Sequence, residues 1–363
     1  MLLTGSTVKD SLENVRFFVA ANLASGVDHM VVFLDAPRDP GQPEVAAFLD
    51  AHPAVTCLPT GRGWWQGDRP RSLNVRQQVN VNWLRTVLEA LPWAQWLFHV
   101  DGDEVARLDG EALAAVPADR DAVWLAPLEA VSEPEPATRP TSFKRLLDED
   151  ELSLLQVLGV VREPTNQAYF HGHVMGKSGV RPASGLGLSL HHAVGPDGTQ
   201  QPRHEDDRLA LLHYDAVSGA EFVRKWERLA HAGPARYRAS RAPVARALST
   251  LVTADLPDEV RARYLRRVYD LTTRDDVATL RELGLLVEVD PEAGGARTAG
   301  TALGPAESAG LAARVDELRE GPKRGYLVEE RRSPPPGQET APPGPAGRVR
   351  GLLRGSRAVS DPG

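Results

Sequence analysis

Three carboxylates stand close together directly after a run of apolar residues. They are Asp101, Asp103 and Glu104, and residues 96–100 before them are typical of a buried strand. Crowded carboxylates repel one another, and a hard cation with oxygen ligands removes that cost. The i, i+2 spacing lets both Asp side chains point the same way from an extended segment. The cluster predicts a divalent metal that also holds a diphosphate. Asp103 would be a ligand, and Asp101 would reach the metal or a ribose hydroxyl. An acidic turn that caps the next helix is the structural alternative.

The elements that would position this cluster alternate between strand and helix over the first hundred residues. Strands are predicted at 2–8, 29–34, 55–58 and 96–100, with helices between them at 10–25, 44–51 and 72–91. This alternation indicates βαβ units and a mainly parallel sheet, whose carboxyl edge is where ligands collect. We therefore expect Asp35, which follows the second strand, and Asp101 to lie on that edge.

Composition divides the chain into three predicted parts. We expect an α/β domain over 1–232, a helical extension packed on it over 233–290, and a linker, short helix and disordered tail over 291–363. Residues 331–363 hold seven Pro and six Gly, which is typical of low-complexity disorder. Four arginines surround three apolar residues between 348 and 357, a pattern that favours weak contact with a membrane surface. A solvated tail without that contact is the alternative.

The composition also excludes several classes of protein. The chain has 363 residues, of which 42% are hydrophobic and 25% charged, as in ordinary soluble proteins. A formal net charge of -7 offers no global basic field for nucleic acid. Cys57 is the single cysteine, which excludes an intramolecular disulfide framework and a cysteine-based zinc site. No signal peptide or membrane-spanning apolar run is visible, so the expected location is the cytoplasm, peripheral to a membrane if the tail binds one.

Several short motifs occur in a fixed order between residues 5 and 232. They are Val8-Lys9-Asp10, Gly26-Val27-Asp28-His29, Arg76-Gln77-Gln78, Trp96-Leu97 with Asp101-Gly102-Asp103-Glu104, Gly176-Lys177, and Leu212-His213-Tyr214 with Ser218, Glu221-Phe222 and Lys225. Together they resemble the motifs of glycosyltransferase family 2-like proteins and the related family 92. The resemblance implies an α/β fold of GT-A type, a Rossmann-like, mainly parallel sheet flanked by helices. It also implies a nucleotide-sugar donor and a divalent metal, Mn²⁺ or Mg²⁺.

The resemblance implies which residues meet the donor. In GT-A proteins the segment after the first strand and the acid after the second hold the nucleoside. By position these residues are Val8, Lys9, Asp10 and Asp35. We expect Lys177 and Arg181 near the diphosphate, because a departing nucleoside diphosphate carries negative charge that positioned cations stabilise. A surface position for either cation is the alternative.

Histidines are concentrated in residues 164–214, which hold six of the ten in the chain. GT-A proteins often use a late histidine as a further metal ligand, so His213 is the first candidate and His191 the second. Imidazole binds Mn²⁺ acceptably and suits Mg²⁺ less well. His171 and His173 form a second pair that suits zinc, although the sequence identifies no third ligand for it.

The catalytic base and the acceptor site are the least defined parts of the prediction. Inverting transfer needs a carboxylate to deprotonate the acceptor hydroxyl, and family 2 proteins commonly carry it in a Glu-Asp motif. The acidic runs 148–150 and 205–207 both lack an apolar context, and Asp206 is the expected base. This departure from the family pattern leaves the stereochemical course open. Trp64 and Trp65 are interpreted either as an acceptor platform or as packing of their loop.

The sequence therefore predicts a metal-dependent glycosyltransferase that moves a sugar from a nucleotide-sugar donor to an undefined acceptor. Two alternatives remain open. One is nucleotidyl transfer on a similar sheet, although residues 5–7 are too short for the usual Gly-rich phosphate loop. The other is a catalytically inactive sugar-nucleotide-binding module.

Overall fold

The computed structural model describes residues 1–231, 242–293 and 302–331, and the stretch Met1–Arg331 forms one compact unit. The strands are β1 Leu2–Val8, β2 His29–Asp35, β3 Val55–Thr60, β4 Trp96–His99, β5 Glu104–Arg107, β6 Ala122–Ala130, β7 Ser142–Lys144, β8 Lys177–Val180, β9 Gly187–Leu188, β10 Ala193–Val194, β11 Ala210–His213 and β12 Leu286–Glu288. The helices are α1 Leu12–Ala24, α2 Gln42–Asp50, α3 Arg62–Trp65, α4 Leu73–Glu89, α5 Gly110–Ala115, α6 Glu149–Val157, α7 Asn166–Tyr169, α8 Gly219–His231, α9 Ala242–Thr253, α10 Asp258–Thr272, α11 Val277–Glu282 and α12 Pro305–Arg319. Short 3₁₀ turns lie at Pro182–Ser184 and Arg324–Tyr326.

The central sheet has ten strands, and its main path runs β12-β7-β6-β8-β4-β1-β2-β3. The strands β3, β2, β1 and β4 are mutually parallel, as predicted from the alternating pattern. The α/β, Rossmann-like fold is thereby confirmed, with helices on both sides of the curled sheet.

The other half of the sheet is mixed. Strand β8 runs antiparallel to both β4 and β6, while β11 runs parallel to β6 and antiparallel to β5. The carboxyl ends of β4, β6 and β11 therefore share one edge with the first residue of β8. This reversal decides which predicted residues can meet, because the last residue of β8 lies at the opposite edge.

Two helical layers cover the sheet. Along β1 the side chains alternate, so Leu2 packs with the layer containing α1, α2 and α5, and Leu3 packs with the layer containing α4 and α12. Helix α4 carries the predicted buried stripe, in which Val79 and Trp83 are fully buried. The indole of Trp83 donates to the carbonyl of Leu318 at 2.9 Å, which fastens α12 onto α4.

The start of α1 differs in detail from the prediction. The helix was expected to begin at Asp10, but Ser11 is the N-cap and its hydroxyl accepts from the backbone N–H of Asn14. The Asp10 carboxylate instead accepts from the backbone N–H of Ser11 at 2.7 Å and from the side chain of Asn14 at 3.1 Å. A side-chain oxygen one residue later satisfies the free N–H groups of the first turn.

The region after residue 241 contributes both helices and a strand. Helices α9, α10 and α11 follow one another, and β12 then pairs antiparallel with β7. Among the described residues, no helix is both long and apolar enough to cross a membrane. The basic segment at 348–357, and with it the predicted membrane contact, lies outside the described residues.

Candidate metal centre and cleft

A tight turn between β4 and β5 presents the acidic cluster. The Glu104 carboxylate accepts from the backbone N–H of Asp101 at 2.6 Å, and the Glu104 N–H donates to the Asp101 carbonyl at 3.1 Å. This reciprocal pair turns Glu104 inward, where its side chain is fully buried. Asp103 faces the other way, and its side chain is 45% exposed.

Strand register places His213 beside two acids. In β11, His213 lies opposite Glu104 of β5 and opposite Glu129 of β6. Directly opposed residues on neighbouring strands project from the same face, so these three side chains converge. The outer oxygen of Asp103 lies 3.9 Å from Nε2 of His213. Burial lowers the pKa of His213, but Asp103, Asp215 and the two strand acids raise it above its ordinary value.

The loop before β8 adds a second histidine. Nε2 of His173 lies 2.9 Å from Oε1 of Glu104, and its ring stacks on that of His213 with centroids 4.9 Å apart. One ligand atom from each of Glu104, His173 and His213 lies within 4.8 Å of the other two. We call these three residues the metal group.

The chemistry of the metal group fits a divalent cation. Nδ1 of His173 and Nδ1 of His213 are buried, and neither has a hydrogen-bond partner among the described residues. Burial raises the pKa of Glu104, but Lys177 and the hydrogen bond from His173 hold it well below its usual range. An ionised carboxylate beside two imidazoles is a common ligand set for first-row metals.

Lys177 is the cation built into the acidic turn. Its ammonium is 2.8 Å from Asp101 and 3.4 Å from Glu104, and its side chain is 1% exposed. Burial lowers the pKa of Lys177, but the two carboxylates raise it above the ordinary lysine value. The side chain of Gln77 on α4 donates to the other oxygen of Asp101. Both carboxylate oxygens of Asp101 therefore have partners within the protein.

A cleft of about 260 Å³ adjoins the acidic turn. Its wall includes Asp103 and Glu104 together with polar, charged and aromatic residues from the start of α1, the segment after β6 and the start of α8. These further residues are Asp10, Asn14, Phe17, Phe18, Gly102, Val105, Arg139, Tyr214, Ala216, Glu221, Arg224 and Lys225. The cleft combines aromatic faces with both signs of charge, which suits a polar ligand such as a sugar phosphate.

The cations that line the cleft differ in their partners. Arg224 lies 3.6 Å from Glu221, and Lys225 is paired with Asp215. The guanidinium of Arg139 lies over the ring of Phe17 at 3.8 Å, and its hydrogen bond is a long one of 3.5 Å to Asn14. Within the part of the chain that the structure describes, Arg139 has no carboxylate within ion-pair distance.

His191, the second predicted histidine ligand, stands beside the metal group. Its ring meets that of His173 edge to face at 4.5 Å, and Nδ1 donates to the carbonyl of Gly176 at 3.0 Å. Burial and the nearby Lys177 lower the pKa of His191 to about 3, so the ring is neutral at physiological pH.

The predicted nucleoside residues lie at the ends of β1 and β2, but their side chains have internal partners. Lys9 pairs with Asp39. Asp35 is buried and accepts from Arg69 and Arg76, each at 2.8 Å. Val8 is buried at the end of β1, and Asp10 lines the cleft. Asp35 thus anchors the loop before α4.

Two predicted site residues lie at the edge of the sheet opposite the acidic turn. Arg181 follows antiparallel β8, where it stacks on Trp96 at 4.4 Å and lies 3.8 Å from Asp121. Asp206 precedes β11 and pairs with Arg208 at 2.8 Å, far along the strand from His213. The structure therefore does not bring Arg181, expected near the diphosphate, or Asp206, expected as the base, to the edge that carries the acidic turn.

The tryptophans are structural rather than an acceptor platform. Trp64 and Trp65 are 5% and 3% exposed, and Trp64 packs on Phe33 and Trp83. The acidic run at 148–150 opens α6, with Asp148 as its N-cap, so it lies in a helix start.

Two members of the metal group were not identified from the sequence. Glu104 was part of the acidic cluster but was not assigned as a ligand, and His173 was assigned to a separate pair. A signal for His173 existed, since the predicted pair of His171 and His173 lacked a third ligand. The loop that joins the two sets cannot be deduced from local spacing.

Comparisons with known proteins provide little beyond this geometry. No family model matches the chain, and no curated protein matches it. Among solved structures, HddC from Yersinia pseudotuberculosis aligns with 11% identity over 36% of this chain and 59% of its own, with a TM-score of 0.22. The bifunctional glycosyltransferase WbbM aligns with 14% identity over 50% of this chain and 31% of its own, also with a TM-score of 0.22. The chain thus spans less than two thirds of either protein, and these scores support no functional argument.

Proposed function

We propose that the protein is a metal-dependent glycosyltransferase that uses a nucleotide-sugar donor. The observation that carries the proposal is the metal group beside the cleft, at the sheet edge where the acidic turn ends β4. Asp103 belongs to the cleft wall and lies 3.9 Å from His213, so a donor in the cleft would lie next to a bound ion.

Glu104, His173 and His213 are the proposed ligands of the ion, and Asp103 completes the set from the cleft side. Mixed nitrogen and oxygen ligands favour Mn²⁺ over Mg²⁺, which prefers oxygen alone and keeps several waters. Such an ion supplies Lewis acidity to the diphosphate that leaves the sugar.

Two further charged residues have separate proposed roles, one in the acidic turn and one in donor recognition. Lys177 neutralises Asp101 and Glu104 and keeps the turn closed, since it is buried between them. We assign recognition of the donor's diphosphate to Arg139, because it is the described cation in the cleft without a carboxylate partner. A guanidinium binds phosphate oxygens through two parallel hydrogen bonds, and its charge is stabilised when an anion replaces water around it.

The test is a donor-hydrolysis assay over a panel of UDP- and GDP-sugars with Mn²⁺. Release of nucleoside diphosphate should require Mn²⁺ and fall at least about 100-fold in Asp103→Asn, because the change removes a ligand charge from the ion that would stabilise the leaving diphosphate. Arg139→Gln should raise the donor KM more than it lowers kcat. Glu111→Gln, on the exposed surface of α5, is the control.

Each other outcome identifies a rival. Release of pyrophosphate when a nucleoside triphosphate and a sugar phosphate replace the nucleotide sugar would show nucleotidyl transfer. Mn²⁺-dependent binding of UDP or GDP without turnover over a broad acceptor panel would show a binding module. Full activity in Asp103→Asn would remove Asp103 from the site.

A further inference from the structure

A buried ionic network lies next to the metal group, and none of its residues was given a role in the function proposed above. Lys144 of β7 places its ammonium 2.8 Å from Glu129 of β6 and 3.1 Å from Asp275, in the connection between α10 and α11. The three side chains are at most 7% exposed. We call them the lysine network. Glu129 and Lys144 lie opposite each other on the paired strands β6 and β7, whereas Asp275 is distant from both in the chain.

The lysine network forms hydrogen bonds with the loop that carries His173. One oxygen of Glu129 accepts from the backbone N–H of His171 at 2.7 Å, and the other accepts from that of Gly172. Asp275 lies 3.0 Å from Nε2 of His171. The ammonium of Lys144 also donates to the carbonyl of Tyr169 at 3.0 Å, so the loop is held at three successive points.

The loop has almost no room to move relative to His213. A Cβ atom on Gly172 would lie 2.3 Å from Cε1 of His213 and 2.7 Å from the carboxylate of Glu129. The backbone at this position therefore passes directly between a metal-group ring and the network.

We propose that Glu129, Lys144 and Asp275 are positioning residues that set the metal affinity of the metal group. The inference rests on the metal site of the proposed function and adds that the region after residue 241 is part of that site through Asp275. Residues that hold metal-ligating histidines in place typically change the metal affinity by 10- to 100-fold when they are mutated. The network acts on the backbone that carries the ligand rather than on the ligand ring.

The experiment is Mn²⁺ titration of the full chain, followed by the EPR signal of free Mn²⁺, together with thermal unfolding of the metal-free protein. Asp275→Asn and Lys144→Met are each expected to weaken Mn²⁺ binding by about 10- to 100-fold. Asp275→Asn keeps the side-chain shape and tests the idea if Lys144→Met does not fold. Arg76→Met is the matched control, because it removes a buried cation beside Asp35 without touching the histidine loop.

The proposal predicts that the control loses thermal stability while it keeps the wild-type Mn²⁺ affinity. Equal Mn²⁺ affinities in the wild type, Asp275→Asn and Arg76→Met, measured well below their unfolding temperatures, would overturn the positioning role and leave the metal site standing. Absence of Mn²⁺ binding by the wild type would overturn the metal site and, with it, this role.

Discussion

Two buried carboxylate clusters lie side by side in this molecule, and their partners differ. In the lysine network, an ammonium lies between Glu129 and Asp275, within 3.1 Å of both. In the metal group, Glu104 faces two imidazoles, each with a buried ring nitrogen that has no partner among the described residues.

Burial of an acid therefore does not by itself mark a ligand site. A carboxylate that the chain neutralises with its own cation is already satisfied, as Asp35 is between two arginines. Glu104 shares the ammonium of Lys177 with Asp101, so its charge alone does not set it apart. What sets it apart is the pair of imidazole nitrogens beside it that have no partner among the described residues. The comparison predicts that the lysine network stabilises the fold and that the metal group binds an ion.

The largest expected effect separates the clusters by stability. Lys144→Met leaves Glu129 and Asp275 buried without their cation, which should cost about 3–5 kcal/mol of unfolding free energy. His173→Ala in the metal-free protein should cost about 1 kcal/mol, because its one hydrogen bond is replaced by water. Urea unfolding of both variants in excess EDTA measures the difference. Equal losses would break the distinction.

The next largest effect is steric and concerns the boundary between the clusters. Gly172→Ala would place a methyl group inside the contact distance of the His213 ring, so Mn²⁺ binding should weaken by up to about 100-fold. Gly110→Ala is the control, since nothing lies within 4 Å of its added Cβ. Isothermal titration with Mn²⁺ compares the two. Wild-type affinity in Gly172→Ala would show that the loop has room to move.

A third effect is the pH dependence of the lysine network. Burial raises the pKa of Asp275, but Lys144 and His171 bring it down from 3.8 to about 2. Because the folded-state pKa is the lower one, this stabilisation is complete above pH 3.8 and is lost as the pH falls towards 2. The shift corresponds to about 2 kcal/mol.

The measurement is the difference in unfolding free energy between the wild type and Asp275→Asn, taken at several pH values. The difference should shrink as the pH falls from about 5 towards 2. A difference that stays constant over this range would show that the charge of Asp275 does not contribute.

The smallest expected effect is a loss of stability at Asp35, a third buried carboxylate that the chain neutralises with its own cations. Arg69 is 44% exposed, so Arg69→Ala should cost less than about 1 kcal/mol of stability. Mn²⁺ affinity should stay unchanged, because neither Arg69 nor Asp35 touches the metal group. Chemical denaturation and Mn²⁺ titration of this variant are sufficient. A clear loss of Mn²⁺ binding would show that the Asp35 cluster and the metal group are energetically coupled.

The sequence predicted the parts of the fold that depend on local pattern. The apolar runs and helical spacing located β1 to β4 and α4, and the acidic turn after β4 was expected at the carboxyl edge. Strand direction beyond β4 depends on tertiary pairing, and local pattern does not show that Arg181 and Asp206 lie at the edge opposite the acidic turn.

The site shows the same limit. His213 and the acidic turn were found from their motifs, whereas the position of His173 depends on contacts with Glu129 and Asp275, which are distant in the chain. The spacing of residues along the sequence does not predict these long-range contacts. Likewise, Trp64 and Trp65 lie in a polar segment of the sequence but pack against strands and helices that only the tertiary structure brings near.

The most direct test of the central claim is a Mn²⁺ titration of the wild type and of Glu104→Gln, which keeps the side-chain shape and removes the ligand charge. We expect one Mn²⁺ per wild-type chain and binding weakened at least about 100-fold in Glu104→Gln. Glu111→Gln should bind like the wild type. Unchanged Mn²⁺ binding in Glu104→Gln, or no binding by the wild type, would contradict the assignment of the metal group.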